Sequence, residues 1–233
     1  MGIGDIRYTV LQTTQEVFRR LGLNAPSALS TNKLSIQMVD MINDVCNDLS
    51  DFGDWQEMQL SANVTCVSGQ RDYSINTSAN VKNIYDIFFD TRTGPLRNVT
   101  AEDMRIMTRV TAYGRPTQFS VYGVDAGGNP NIRVRPMPST NEDGKLFSIL
   151  YFVRPPLYTT SDASVSIPFP ARVVVNGVLA KAILNESGGS PTDHYQMVYQ
   201  QYLDMRKEAL NRFNGDTGPN ISFSPSMQSR WKR

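Results

Sequence analysis

Leu146-Phe147-Ser148-Ile149-Leu150-Tyr151-Phe152-Val153-Arg154-Pro155-Pro156, then Ile167-Pro168-Phe169-Pro170 and the apolar run Ala171 to Glu186, decide the fold. The first segment is rich in β-branched and aromatic residues and stops at two prolines. Proline has no N–H to give to a β-ladder, so it marks the end of a strand. The same punctuation closes Ile132-Arg133-Val134-Arg135 at Pro136-Met137-Pro138, and Arg115-Pro116 precedes a further strand at Phe119-Ser120-Val121-Tyr122. After Pro170 the pattern becomes helical through Glu186. Short strands that give way to apolar helices describe an α+β chain, in which a compact β-unit is joined to a helical bundle.

Upstream, Leu60, Ala62, Val64 and Cys66 alternate with polar residues, Tyr73-Ser74-Ile75 continues after a Ser68-Gly69 turn, and Ile84 to Phe89 forms a third strand. Thr100-Ala101-Glu102-Asp103 opens a short helix reaching about Val110. Asp125-Ala126-Gly127-Gly128-Asn129 and Asn141-Glu142-Asp143-Gly144 are turn-forming loops. These strands predict a small antiparallel sandwich or open barrel over residues 59–167.

Helical periodicity occupies the two flanks. Ile6, Val10, Val17 and Leu21 mark a first helix stopped at Gly22; Leu34, Met38, Ile42, Val45 and Leu49 mark a second, entered from Ser30 or Thr31. A short connection predicts that these two pack antiparallel over residues 1–58. Residues 168–214 supply the remaining helices of the bundle. Their last helix starts from Ser190-Pro191-Thr192-Asp193, runs to about Phe213, and carries Val198, Tyr202, Met205 and Leu210 on its stripe. Residues 215–233 have no periodicity and are expected to form an extended C-terminal tail, disordered alone.

Composition narrows the function. The 233 residues carry 23 Lys and Arg against 22 Asp and Glu, net charge +1, where a strongly basic nucleic-acid binder would show a surplus. No apolar run approaches the length of a membrane span, and the N-terminus does not resemble a signal peptide. Met1-Gly2 resembles a myristoylation start, but Ile6 stands where Ser or Thr is expected. Cys46 and Cys66 lack zinc spacing and are expected to stay reduced.

Candidate chemistry is sparse. His194 has no nucleophile motif beside it and reads as a surface or interface histidine. Asp40, Asp44 and Asp48, four residues apart, share one helix face; they suit either a divalent cation or, more simply, solvent and neighbouring arginines. The Asp125 loop lacks the bidentate acid of a calcium site. No cofactor or catalytic site is expected. The distinct signal lies in the tail, where Ile221, Phe223, Met227 and Trp231 stand as apolar anchors in a polar segment closed by Arg230-Trp231-Lys232-Arg233. Tryptophan and arginine are enriched at binding hot spots, so Ile221, Phe223, Met227, Arg230, Trp231, Lys232 and Arg233 form the candidate partner-binding set.

The order of these elements resembles that of head-to-tail adaptor proteins of short-tailed bacteriophages, the tail accessory or tail tubular protein A type. The resemblance rests on Arg115-Pro116-Thr117-Gln118-Phe119 with Tyr122, and on Ile132 to Pro138. It also rests on Leu150 to Pro156, Ile167-Pro168-Phe169-Pro170 with the helix Val173 to Leu184, and Gly69-Gln70-Arg71-Asp72-Tyr73-Ser74-Ile75. It implies a virion protein at the head–tail interface, in a ring usually of twelve copies. The portal protein would lie on one side and a downstream tail or nozzle protein on the other. DNA would pass through without specific binding, and the C-terminal tail would reach the portal. Two other readings stay open: a tail-associated carbohydrate-binding module presenting Tyr85, Tyr113 and Tyr122, and a cell-wall hydrolase.

Overall fold

The structure, a computed structural model, describes residues 6–77, 80–90 and 94–215, with side chains given to residue 212. The expected tail therefore lies outside the described residues from residue 216 onward. Among the described residues, five α-helices and seven strands form an α+β fold: α1 (Val10–Arg20), α2 (Lys33–Phe52), β1 (Gln59–Thr65), β2 (Asp72–Ser74), β3 (Val81–Phe89), β4 (Arg97–Asn98), α3 (Ala101–Met107), β5 (Gln118–Val124), β6 (Pro130–Arg135), β7 (Leu146–Val153), α4 (Ala171–Glu186) and α5 (Asp193–Gly215).

The strands make two sheets, ordered β1-β7-β3 and β2-β6-β5-β4, antiparallel except for the parallel β4–β5 pair. Alternation selects the faces. In β7, Phe147, Ile149 and Tyr151 point into a core shared with Ile132 and Val134 of β6 and Phe119 of β5. The two sheets thus close as a sandwich. Phe152 points to the opposite face and joins the helical core. Of the expected β1 stripe, Ala62, Val64 and Cys66 pack on the sandwich core, whereas Leu60 is exposed. Asp125 holds the β5–β6 hairpin: its carboxylate accepts from Ser74 Oγ, Gly127 N and Asn129 N at 2.6–2.8 Å, and these bonds pull its pKa down to about 2.

Helix boundaries follow capping geometry. Ile6 lies before α1 and is exposed, because the helix starts only where Thr9 closes a capping box with Gln12. The N–H groups of Val10 and Leu11 donate to Val165 O and Ala163 O, so the β7–α4 link satisfies donors that a helix start leaves open. Asn32, not Ser30 or Thr31, caps α2, through Ser35 N at 2.8 Å; the Thr31 hydroxyl is occupied closing a turn onto Ala28 O. Similarly, Thr192 and not Ser190 caps α5, by accepting from Tyr195 N, while Ser190 O accepts from Ser187 Oγ.

Helix α4 is the centre of the helical core. Eleven of its sixteen residues are buried, the mark of a helix covered on most sides. Helices α1 and α2 touch each other, as expected, but each packs more extensively on α4. Gly177 makes this convergence possible: a Cβ there would meet Val45 Cγ1 at 2.8 Å and the Tyr202 ring at 2.9 Å. Buried Asn176 donates to Arg172 O and accepts from Arg20 Nη1, so the polar atom inside the helix is satisfied and α1 is tied to α4. Trp55 stacks edge-on against Phe169, 5.3 Å between centroids, and donates its Nε1–H to Leu49 O. Lys82 at the start of β3 donates to Ser50 O and Gly53 O, capping the C-terminal end of α2 and joining it to the first sheet.

Two substitutions test this core. Gly177→Val should destabilise the chain by about 1–3 kcal/mol through overpacking. Leu179→Asp, placing a charge among buried apolar groups, should cost roughly 4 kcal/mol or more and abolish soluble expression. Urea denaturation of Gly177→Val and solubility of Leu179→Asp give the answer. Native-like behaviour of both would mean that α4 is not enclosed as described.

Candidate interaction surfaces

Among the described residues, the sequence-predicted candidates for chemistry are dispersed over the fold. His194 sits exposed in the first turn of α5. Cys46 is free and buried in the helical core, and burial pushes its thiol up to about 12; burial likewise raises Cys66 in the sandwich. Neither thiol is primed as a nucleophile, because that requires a stabilised thiolate. Among the described residues no His, Cys, Asp and Glu group has the arrangement of a metal site.

The acidic row of α2 is divided by its neighbours. Asp40 faces solvent, and Asp44 approaches Lys181 Nζ at 3.3 Å at the surface. Asp48 is structural: it accepts from Tyr202 Oη at 2.5 Å and from Arg206 Nη1 at 2.8 Å, and the Arg206 guanidinium lies 3.9 Å from the Phe52 ring centroid. Burial, then the Asp48 carboxylate, raises the Tyr202 phenol well above its ordinary range. These contacts clamp α5 against α2. The spacing of the acids was visible in the sequence; their division was not, because Tyr202 and Arg206 lie more than 150 residues away in the chain.

Tyr85, Tyr113 and Tyr122 do not form one stacking surface. Tyr85 packs edge-on against Phe152 in the first sheet, at 5.8 Å. Tyr122 belongs to the second sheet, under Arg133 at 4.8 Å, where Arg133 is also held by a two-point pair with Asp72. Tyr113 is exposed beyond α3. Sugar rings need aromatics presented side by side, and placement on separate sheets does not supply this.

A cavity of about 480 Å³ opens where residues 6–8, the start of α4 and the last turns of α5 meet. Arg20 and Arg212 on its wall are engaged by Glu16 and Glu208 respectively. Helix α5 carries the chain past this cavity to Gly215, two residues beyond the expected end at Phe213. The candidate tail residues Ile221, Phe223, Met227, Arg230, Trp231, Lys232 and Arg233 all lie outside the described residues.

The Asp48 clamp yields a contrast within one row. Asp48→Ala should cost about 1–3 kcal/mol, since it strips partners from the buried Tyr202 hydroxyl and from Arg206. Asp40→Ala should stay within roughly 0.5 kcal/mol of the native chain. Equal melting temperatures of the two variants would show that α5 is not held this way.

Comparison with known proteins adds one relation. No curated protein matches the chain. The family model described as SU10 adaptor protein matches residues 8–223, which takes in every helix from α1 to α5, both sheets, and the first part of the tail including Ile221 and Phe223. The match agrees with the resemblance to phage head-to-tail adaptors and supports a structural adaptor role in a phage. On this extent of agreement, the chain belongs to the SU10 adaptor protein family.

Proposed function

We propose that the protein is a structural virion component that joins head to tail as a ring of copies, seated between the portal protein and a downstream tail or nozzle protein. Twelve copies form the ring, and DNA passes through its centre. The observation that carries this reading is the family match across residues 8–223. The physical character of the chain is consistent with it. Near-balanced charge suits a passage through which DNA must slide rather than stick. No helix of the described residues is long and apolar enough to cross a membrane. The carbohydrate-binding alternative draws no support from Tyr85 and Tyr122 on separate sheets. For a hydrolase, Asp86 on β3 has a pKa raised by burial, but it does not line the cavity, and glycoside cleavage uses a pair of carboxyls.

In this reading the C-terminal tail makes the portal contact. Ordering a chain segment costs roughly 1–2 kcal/mol of backbone entropy per residue, which only a partner with apolar pockets offsets. Ile221, Phe223, Met227 and Trp231 supply the apolar anchors, and Arg230, Lys232 and Arg233 meet acidic groups around them. The family match ends at Phe223 and leaves Trp231 beyond it.

Removal of residues 216–233 should leave the melting temperature unchanged and abolish attachment to DNA-filled heads. Trp231→Ala alone should weaken attachment by about 2 kcal/mol, or roughly 30-fold. Normal joining by the truncated chain refutes the portal role of the tail. In gel-shift experiments at physiological salt, duplex DNA should bind no tighter than micromolar. A nanomolar, sequence-dependent shift refutes the passage role.

A further inference from the structure

The edge of a β-sheet presents unpaired N–H and C=O groups, and folded chains blunt such edges with short strands, bulges, prolines or charges. Among the described residues the sandwich has four edges, and three of them are blunted. Strands β2 and β4 have three and two residues, and β3 carries two register breaks as well as Lys82 and Asp86. Strand β1 has none of these devices. It pairs with β7 over seven residues without a break and contains neither a charge nor a proline. Cys66 N donates to Lys145 O on the β7 side. Backbone groups alternate in direction along an antiparallel strand, so those of Gln59, Ser61, Asn63 and Thr65 point away from β7. Among the described residues none of the four has a backbone partner on that side. The apolar face of the same edge is open as well. Leu60 lies on the side of Ala62 and Val64, which pack on the sandwich core, yet it is 44% exposed.

From this open edge we infer that residues 220–224 of the same chain add a strand to β1 once the far end of the tail is attached. The tail starts in the right place. Helix α5 ends at Gly215, and its last turns meet Ile6 and Tyr8 around the cavity; Arg7, between them, pairs with Glu57, two residues before β1. Leu210 also packs on Gly53 in the α2–β1 link, where a Cβ would meet it at 2.6 Å. Five residues span at most about 17 Å, which suits the near end of β1; its far end lies about 20 Å further on. The added strand therefore runs parallel to β1. The segment also has the composition of a strand. Pro219 and Pro225 bracket Asn220-Ile221-Ser222-Phe223-Ser224, and residues 217–229 carry no charge. Ile221 and Phe223 stand two apart, the spacing of one sheet face, in a run too short to show a period. In this register Ile221 covers Leu60 and Phe223 covers Ala62, while Ser222 shares the solvent side with Ser61. A second β1 on this edge would pair about a two-fold axis and close a dimer, which a ring of copies does not use. The inference rests on the portal reading of the tail and narrows it: the residues beyond Pro225, Met227 and Trp231 among them, reach the portal. In the free chain the pairing gains little over the entropy of ordering five residues, so melting is unaffected. Once the portal holds the far end, less freedom is left to lose and the strand is kept.

Disulfide trapping tests the pairing. Residues on adjacent strands lie within the span that a disulfide bridges. Ser61 is exposed, so a cysteine there should not disturb folding, and the native Cys46 and Cys66 are buried and do not compete. The double variant Ser61→Cys with Ser222→Cys is bound to DNA-filled heads and mildly oxidised, and linked peptides are mapped by mass spectrometry. A link between residues 61 and 222 should form in most attached copies and be rarer by roughly tenfold or more in the free chain. Thr65→Cys with Ser222→Cys, further along the strand, should not link. A mixture of the single variants Ser61→Cys and Ser222→Cys should not link either, because the strand comes from the same chain. A link in that mixture would give the strand to a neighbouring copy and overturn the inference. Normal attachment of the double variant without its link would overturn it too, with the portal reading left standing. Attachment by a chain ending at Gly215 would remove the portal reading, and the inference with it.

Discussion

Everything in the helical half depends on enclosing one apolar helix. Helix α4 offers no broad polar face to solvent, so it is stable only where other elements cover it. Helices α1, α2 and α5 do this, and Gly177 lets Val45 and Tyr202 approach closer than any side chain there would allow. Once α4 is enclosed, the Asp48–Tyr202–Arg206 cluster sets α5, Asn176 with Arg20 sets α1, and the link before α4 completes the first turn of α1. The sandwich is attached through Phe152, which leaves the sheet for the helical core, and through Lys82, which caps α2. Helices and sandwich thereby share buried contacts.

Much of this architecture was legible in the sequence where punctuation is strong. Proline pairs bracket β7 and α4, and both elements span the residues their patterns indicate, Leu146–Val153 and Ala171–Glu186. Thr100 was recognisable as the cap of α3 because its hydroxyl and the acids after it form a local signal. The misses were places where local signals compete. Thr31 and Ser190 are good caps in isolation, yet each is used in a turn and the neighbouring polar residue takes the role. Ile6 fits the α1 period but lies before the cap. The two-residue β4 has no periodicity to read, since it exists only by pairing with β5.

Functional surfaces were less legible than the fold, for a physical reason. An adaptor works through surfaces whose partners are other chains, so nothing inside one subunit is organised around them as a catalytic group is around its substrate. Tyr85, Tyr113 and Tyr122 looked alike by residue type, but the fold distributes them. Asp40, Asp44 and Asp48 looked like one row, but only Asp48 is held in a network.

The proposed function gives copies of this chain a definite position, in a ring between head and tail. The most direct measurement is averaged electron microscopy of virions in which this chain carries a small folded tag fused ahead of Met1. The account predicts a ring of tag density around the joint between the portal vertex and the tail. Tag density at the distal tip of the tail, or its absence from the particle, would contradict it.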